Sequence, residues 1–198
     1  MVKKSSDSRI DQTRQLDTAH KCYESARQEI LLRIRLRDQI LLVYLAISGT
    51  VLGISIRDSK DAPTLLAVPF IALGAAILLA QHNLAIGWLG RFCADEIGKF
   101  LTRLEPRGDS PQWDNSESFR SYSGASTRLR SWGQSVVLLT PCVLSLAANW
   151  EHALRSAFPF GPLWWFGALC FLLIIILFIH THLSRMNNYK SRWDNNDG

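Results

Sequence analysis

The stretch Leu65-Leu66-Ala67-Val68-Pro69-Phe70-Ile71-Ala72-Leu73-Gly74-Ala75-Ala76-Ile77-Leu78-Leu79-Ala80 decides the fold. It is the centre of a segment from Ala62 to Gly90 that contains no Asp, Glu, Lys or Arg. A helix of roughly 20 apolar residues crosses the hydrocarbon core of a bilayer. This segment is long enough, and it leads without a helix breaker into the charged residues Arg91–Glu105. It reads as a span, residues 64–88, that continues as a helix into water.

Three more uncharged runs lie around it. The first, between Asp38 and Arg57, reads QILLVYLAISGTVLGISI and gives a span over 38–57. The third, Ser131–Trp150, is the most polar and gives a span over 132–150. The fourth is the most hydrophobic and gives a span over 160–182. The chain is 47% hydrophobic, yet its mean hydropathy is only +0.04. Greasy and charged blocks therefore alternate instead of mixing. The expected fold class is all-α: a polytopic membrane protein with four transmembrane helices and a cytosolic helical layer. That layer comprises the N-terminal helix and a helical hairpin between spans 2 and 3.

The basic residues set the orientation. Lys and Arg number nine in residues 1–38, seven in 91–130 and three in 185–198, against two and one in the short loops between spans. Basic residues collect on the cytoplasmic side. Both termini and the middle segment are thus expected in the cytoplasm, with the inner membrane of a bacterium as the location. Trp88 and Trp132 then fall at the inner boundary, and Trp150, Trp164 and Trp165 at the outer one, as an aromatic belt. The same bias accounts for most of the net charge of +5 and the pI of about 9.2. Direct binding of nucleic acid is not expected. No secretory signal peptide is read at the start, since the first apolar run follows about 38 polar residues.

Outside the lipid, residues 1–16 are polar and their start is expected to be disordered, with a helix from about Asp17. Glu29 and Arg33 stand at i,i+4 in the favourable order. Arg27, Arg33, Arg35 and Arg37 crowd the entrance to the first span. They read either as contacts to anionic lipid headgroups, each contributing on the order of 1 kcal/mol, or as a solvated face. In the middle segment, Phe92, Ile97, Phe100, Leu101 and Leu104 have helical spacing on one face. Glu105-Pro106 ends that helix, and Asp114 with Glu117 resembles a capping box for a second one reaching about Arg130. A hairpin of this size cannot bury a core alone. Residues 91–131 should pack on the N-terminal helix, on another subunit or on a cytosolic protein partner. The tail, 183–198, reads as loose.

Inside the spans, Gly49 and Gly53 form a G-x-x-x-G pair, and Ala72, Ala76 and Ala80 make a second smooth face. Small residues four apart let helix backbones approach closely. Contact within one subunit is favoured over contact between subunits for the glycine pair. Pro69 and Pro141 are candidate kinks. Gln134, Thr140, Ser145 and Asn149 would be costly against lipid, so the third span should face the bundle interior or a water-filled path. A re-entrant third segment is the alternative. His82 joins this possible polar path. An ionisable group at membrane depth is a functional candidate, but a hydrogen-bonded structural histidine is favoured over a proton relay.

Catalysis is not legible. No G-x-S-x-G, H-E-x-x-H, P-loop or G-x-G-x-x-G occurs. No catalytic residue, metal ligand set or cofactor is assigned. His180 and His182, two apart, point to different sides of a helix. Cys22, Cys93, Cys142 and Cys170 form no C-x-x-C pair and are expected as free thiols. Past Asp38 at the start of the first span, no acidic residue lies within a span, which lowers the expectation of a proton- or sodium-coupled transporter.

Two motifs carry a resemblance. Arg33-x-Arg35-Leu36-Arg37-Asp38 and His82-Asn83-x-x-Ile86-Gly87-x-Leu89-Gly90-Arg91-Phe92 resemble a family of uncharacterised bacterial four-span inner-membrane proteins. The likeness covers roughly residues 20–115, with Trp113 in the loop. In size and span count the chain is also similar to the membrane subunit of the Kiwa anti-phage system and to small membrane effectors of bacterial conflict systems. That architectural likeness implies a role in anti-phage defence. The expected function is a homo-oligomeric scaffold or a membrane-perturbing effector in contact with anionic lipid. The alternatives are a small channel or transporter lined by the third span, and a sensor whose N-terminal arginines respond to lipid charge.

Overall fold

A computed structural model describes residues 3–57, 59–104, 117–151 and 160–194, with side chains defined for 11–55, 63–104, 129–151 and 160–181. Among the described residues the chain is helical throughout. Helix α1 runs Lys3–Arg57, a 3-10 segment follows over Ser59–Ala67, and α2 runs Val68–Arg91. A π-helical turn, Phe92–Ile97, leads into α3, Gly98–Leu104. Helix α4 is Glu117–Ala148 and α5 is Phe160–Asp194. Four stretches are long and apolar enough to cross a membrane: Asp11–Ser55, Pro63–Leu104, Leu129–Ala148 and Phe160–Thr181. The protein is a four-helix, multi-pass membrane protein.

Several boundaries differ from the sequence reading. Residues 3–16 are helical rather than disordered, because they continue α1 without a breaker. The tail is helical to Asp194 rather than loose. The second helix of the expected hairpin is not separate from the third span. Helix α4 runs through Arg130 into the apolar run, and Gly133, a residue that costs a helix only about 1 kcal/mol, does not interrupt it. Asp114 of the proposed capping box lies outside the described residues. Pro69 falls in the first turn of α2, where the missing amide hydrogen would have no partner anyway, so it starts the helix instead of kinking it.

The chain divides into two compact units. A span unit comprises Arg37–His82 and Arg128–Gly198, and a head unit comprises Met1–Leu36 and Asn83–Thr127. In the span unit, α2 is the central packing element. Buried residues take up 44% of its most apolar stretch, against 17%, 28% and 22% for the first, third and fourth spans. Its buried stripe is Val68, Pro69, Ala72, Ala75, Ala76 and Leu79, which follows the 3.6-residue period. Tyr44, Leu138, Cys142 and Ile174 pack with this stripe into one cluster. The alanines matter because helix association in lipid depends on close van der Waals approach, not on hydrophobic transfer. The approach is close at Gly167, where a Cβ would stand 3.3 Å from Leu146 Cδ2 and 3.5 Å from Pro69 Cγ.

The head unit has its own small core of Ala26, Ile30 and Cys93, flanked by Tyr23, Ile34, Ile86 and Leu89. The π turn sets its geometry. The Gly98 amide donates to the Cys93 carbonyl, five residues back, so the helix takes an extra residue in one turn. Cys93, Ala94 and Ile97 consequently turn inward. Phe92 and Phe100, expected on one apolar face with Ile97, are left 37% and 41% exposed.

Candidate functional site

The buried face of α4 is polar at its two ends and carries Leu138, Pro141 and Cys142 between them. Gln134, Ser145 and Asn149 are buried, whereas Thr140 is exposed and stands outside the stripe. A tyrosine in mid-span must find a partner for its hydroxyl. Tyr44, only 2% exposed, donates to the Leu138 carbonyl at 2.9 Å, and its oxygen lies 3.8 Å from Cys142 Sγ. Ser48 follows one turn along α1 and is also buried. Ser145 Oγ donates to the Leu65 carbonyl in the 3-10 segment. Asn149 Nδ2 donates to the Ser145 carbonyl at 3.0 Å, and Trp164 Nε1 donates to the Leu146 carbonyl at 2.9 Å. Pro141 removes one amide from α4 near this seam.

These bonds tie the first span, the 3-10 segment and the fourth span to α4. One face of the third span is buried, and its Ser145 hydroxyl with the Leu138 and Leu146 carbonyls clamps helices together. Tyr44, Ser145 and Asn149 are enclosed, so the seam is closed in this conformation. Trp164 belongs to the same system. It packs on Leu66 and meets Trp150 edge-to-face at 5.4 Å, so it is interior and not part of an aromatic belt. Trp88, Trp132, Trp150 and Trp165 are exposed, as belt residues should be.

The four arginines separate. Arg37 is only 5% exposed, and its Nε and a terminal nitrogen donate to Asp38 Oδ1 at 3.0 and 2.8 Å. Facing inward, it is withdrawn from the headgroup role expected of all four. Arg33 pairs with Glu29 at 2.6 Å, the i,i+4 pair read from the sequence. Arg27 lies over the Tyr23 ring at 5.4 Å and donates to its hydroxyl. Arg35 is exposed.

His82 is half-buried, and its Nδ1 is enclosed without a hydrogen-bond partner among the described residues. The expected hydrogen-bonded histidine is therefore not what the structure presents. Its sequence neighbours Gln81 and Asn83 point to other sides of α2, since adjacent residues on a helix do not face each other. His180 is exposed, and the His182 side chain lies outside the described residues. Among the described residues no three His, Cys, Asp or Glu side chains gather as metal ligands.

The two small-residue faces part company as well. Ala72 and Ala76 are buried in the span-unit core, with Ala80 at its margin. Gly49 and Gly53 are exposed, and a Cβ at either would meet nothing within 4 Å. The favoured reading, contact within one subunit, fails at the glycine pair.

The head unit holds a groove of about 590 Å³. One wall is α1, through Asp11, Arg14, Gln15, Thr18, Ala19 and Cys22; the other is Phe92, Glu96, Ile97 and Phe100. Gln12 Nε2 donates to the Leu104 carbonyl at 3.0 Å and holds the two walls together. Sequence reading missed this groove, because it treated α1 before Asp17 as unstructured. No family model matches the chain, and neither a curated protein nor a solved structure matches it.

Proposed function

We propose that this protein works as a homo-oligomer in a bacterial inner membrane, with both termini and residues 91–131 cytoplasmic. In this reading it is a non-catalytic scaffold for a cytosolic partner or a membrane-perturbing effector, and anti-phage defence is the setting suggested by its architecture. One observation carries the proposal. The Gly49–Gly53 face of the first span is open, on the span with the smallest buried share of the four. Glycine in a helix interior costs about 1 kcal/mol relative to alanine. An open glycine pair offsets that cost when another backbone closes on it. Mass measurement of the purified chain in lipid nanodiscs tests the proposal. A defined oligomer, reduced in size by Gly49→Leu with Gly53→Leu, is the expected result; a monomer at all concentrations sinks it.

A second reading is favoured by the buried alignment of Gln134, Ser145 and Asn149. In that reading the seam opens to form a small channel or transport path through the third span. Ion flux in liposomes, abolished by Asn149→Leu or Gln134→Leu, is its signature. Flux absent from the wild-type chain removes it.

A further inference from the structure

We infer that Arg37 and His82 form an oxyanion site inside one end of the span unit, suited to a single phosphate group. The inference is independent of the homo-oligomer. Both residues belong to the span unit. Tyr44 and Leu79 fix the level from which to place them, since both pack in that unit's core. Arg37 lies about two turns before Tyr44, and residues seven apart share a face of a helix. His82 lies about one turn beyond Leu79, the last residue of the buried stripe on α2. The first and second spans run in opposite directions, so both steps lead to the same end of the unit. Gln134, buried one turn before Leu138, brings α4 to that end as well.

Arg37 and His82 each hold hydrogen-bonding capacity that the protein leaves unused. A guanidinium carries five N–H groups. Asp38 takes two of them on one oxygen, from Nε and one terminal nitrogen. No other partner of Arg37 occurs among the described residues, so the end of its fork is open although the side chain is buried. A single carboxylate, itself 57% exposed, compensates a buried cation incompletely. His82 Nδ1 is enclosed and unpartnered among the described residues. In the neutral tautomer with its hydrogen on Nδ1, it is a donor. A phosphate accepts from both: two oxygens take the end of the fork, and a third takes the Nδ1 hydrogen. A carboxylate has only two oxygens, which the fork alone would use.

The position supplies such an anion. Arg37 stands where the apolar run of the first span begins, at the level of the headgroups that flank the hydrocarbon core. Its inward orientation removes it from the diffuse headgroup layer and lets it hold one phosphate drawn between helices. That phosphate comes from a phospholipid or from solution, and both present the same oxygens.

The test is thermal unfolding of the full chain in neutral detergent. The probes are dihexanoyl phosphatidylglycerol and inorganic phosphate, with sodium chloride at matched ionic strength as the control. A ligand that binds the folded chain raises the midpoint as its concentration increases. At least one probe should raise the wild-type midpoint beyond the control. A rise with the lipid alone identifies a phospholipid site, and a rise with inorganic phosphate identifies a site for a soluble anion. Arg37→Lys keeps the charge and loses the fork, and His82→Phe loses one donor. Each should weaken apparent affinity about tenfold or more, as expected for a lost hydrogen bond to a charged group. Arg35→Gln, at the exposed neighbour, should leave the response unchanged. No rise with either probe overturns the inference. A rise that survives both Arg37→Lys and His82→Phe overturns it, and so does an equal loss in Arg35→Gln, the mark of diffuse attraction.

Discussion

At the scale of single residues, Tyr44 and Gly167 each make a close contact between helices of the span unit. Tyr44 gives its hydroxyl to a backbone carbonyl of α4 and fills the space beside the alanine stripe. Interhelical hydrogen bonds in lipid contribute about 0.6 kcal/mol on average and up to about 1.7 kcal/mol. Tyr44→Phe is therefore expected to lower unfolding free energy in bicelles by an amount in that range, without affecting insertion. Gly167 behaves differently, because a side chain there would drive into Leu146 and Pro69. Gly167→Leu should destabilise the fold by about 1–3 kcal/mol, the usual cost of overpacking. Gly53→Leu, facing open space, should leave the same unfolding measurement unchanged while lowering oligomer mass.

At the scale of elements, α1 and the π turn set the geometry of the head unit. Helix α1 presents Ala26 and Ile30 to Cys93, and the five-residue bond of the π turn points Cys93 inward. Ile30→Asp would place a charge in that small core, where an unpaired charge is costly. The expected outcome is that Cys93, unreactive in the wild type, becomes labelled by maleimide, while Cys142 and Cys170 stay protected in the span unit. Labelling of Cys93 at equal rates in both proteins would show that α1 does not cover it.

At the scale of the whole molecule, the asymmetry of basic residues fixes the expected orientation. Alkaline phosphatase joined after residue 110 or at the C-terminus should be inactive, and fluorescent protein at the same points should fold. Phosphatase inserted at residues 58–62 or 152–159 should be active. An active phosphatase at the C-terminus would mean an odd number of crossings and would revive the re-entrant third segment.

The number, place and length of the apolar runs were determined by sequence alone, because exclusion of charge from lipid is a property of each segment by itself. So was the Glu29–Arg33 pair, which depends only on helical spacing. Whether Trp164 or Arg37 faces in or out was not legible, since the rotation of a helix is set by its neighbours. The same holds for the two small-residue faces. Ala72–Ala76 and Gly49–Gly53 are equally smooth in sequence, and only packing against Tyr44 and Ile174 makes the first interior. The groove required tertiary structure for a further reason. Phe92, Ile97 and Phe100 share one wall, as their spacing assigns, but the opposite wall is α1, which is distant in sequence and is brought there only by folding.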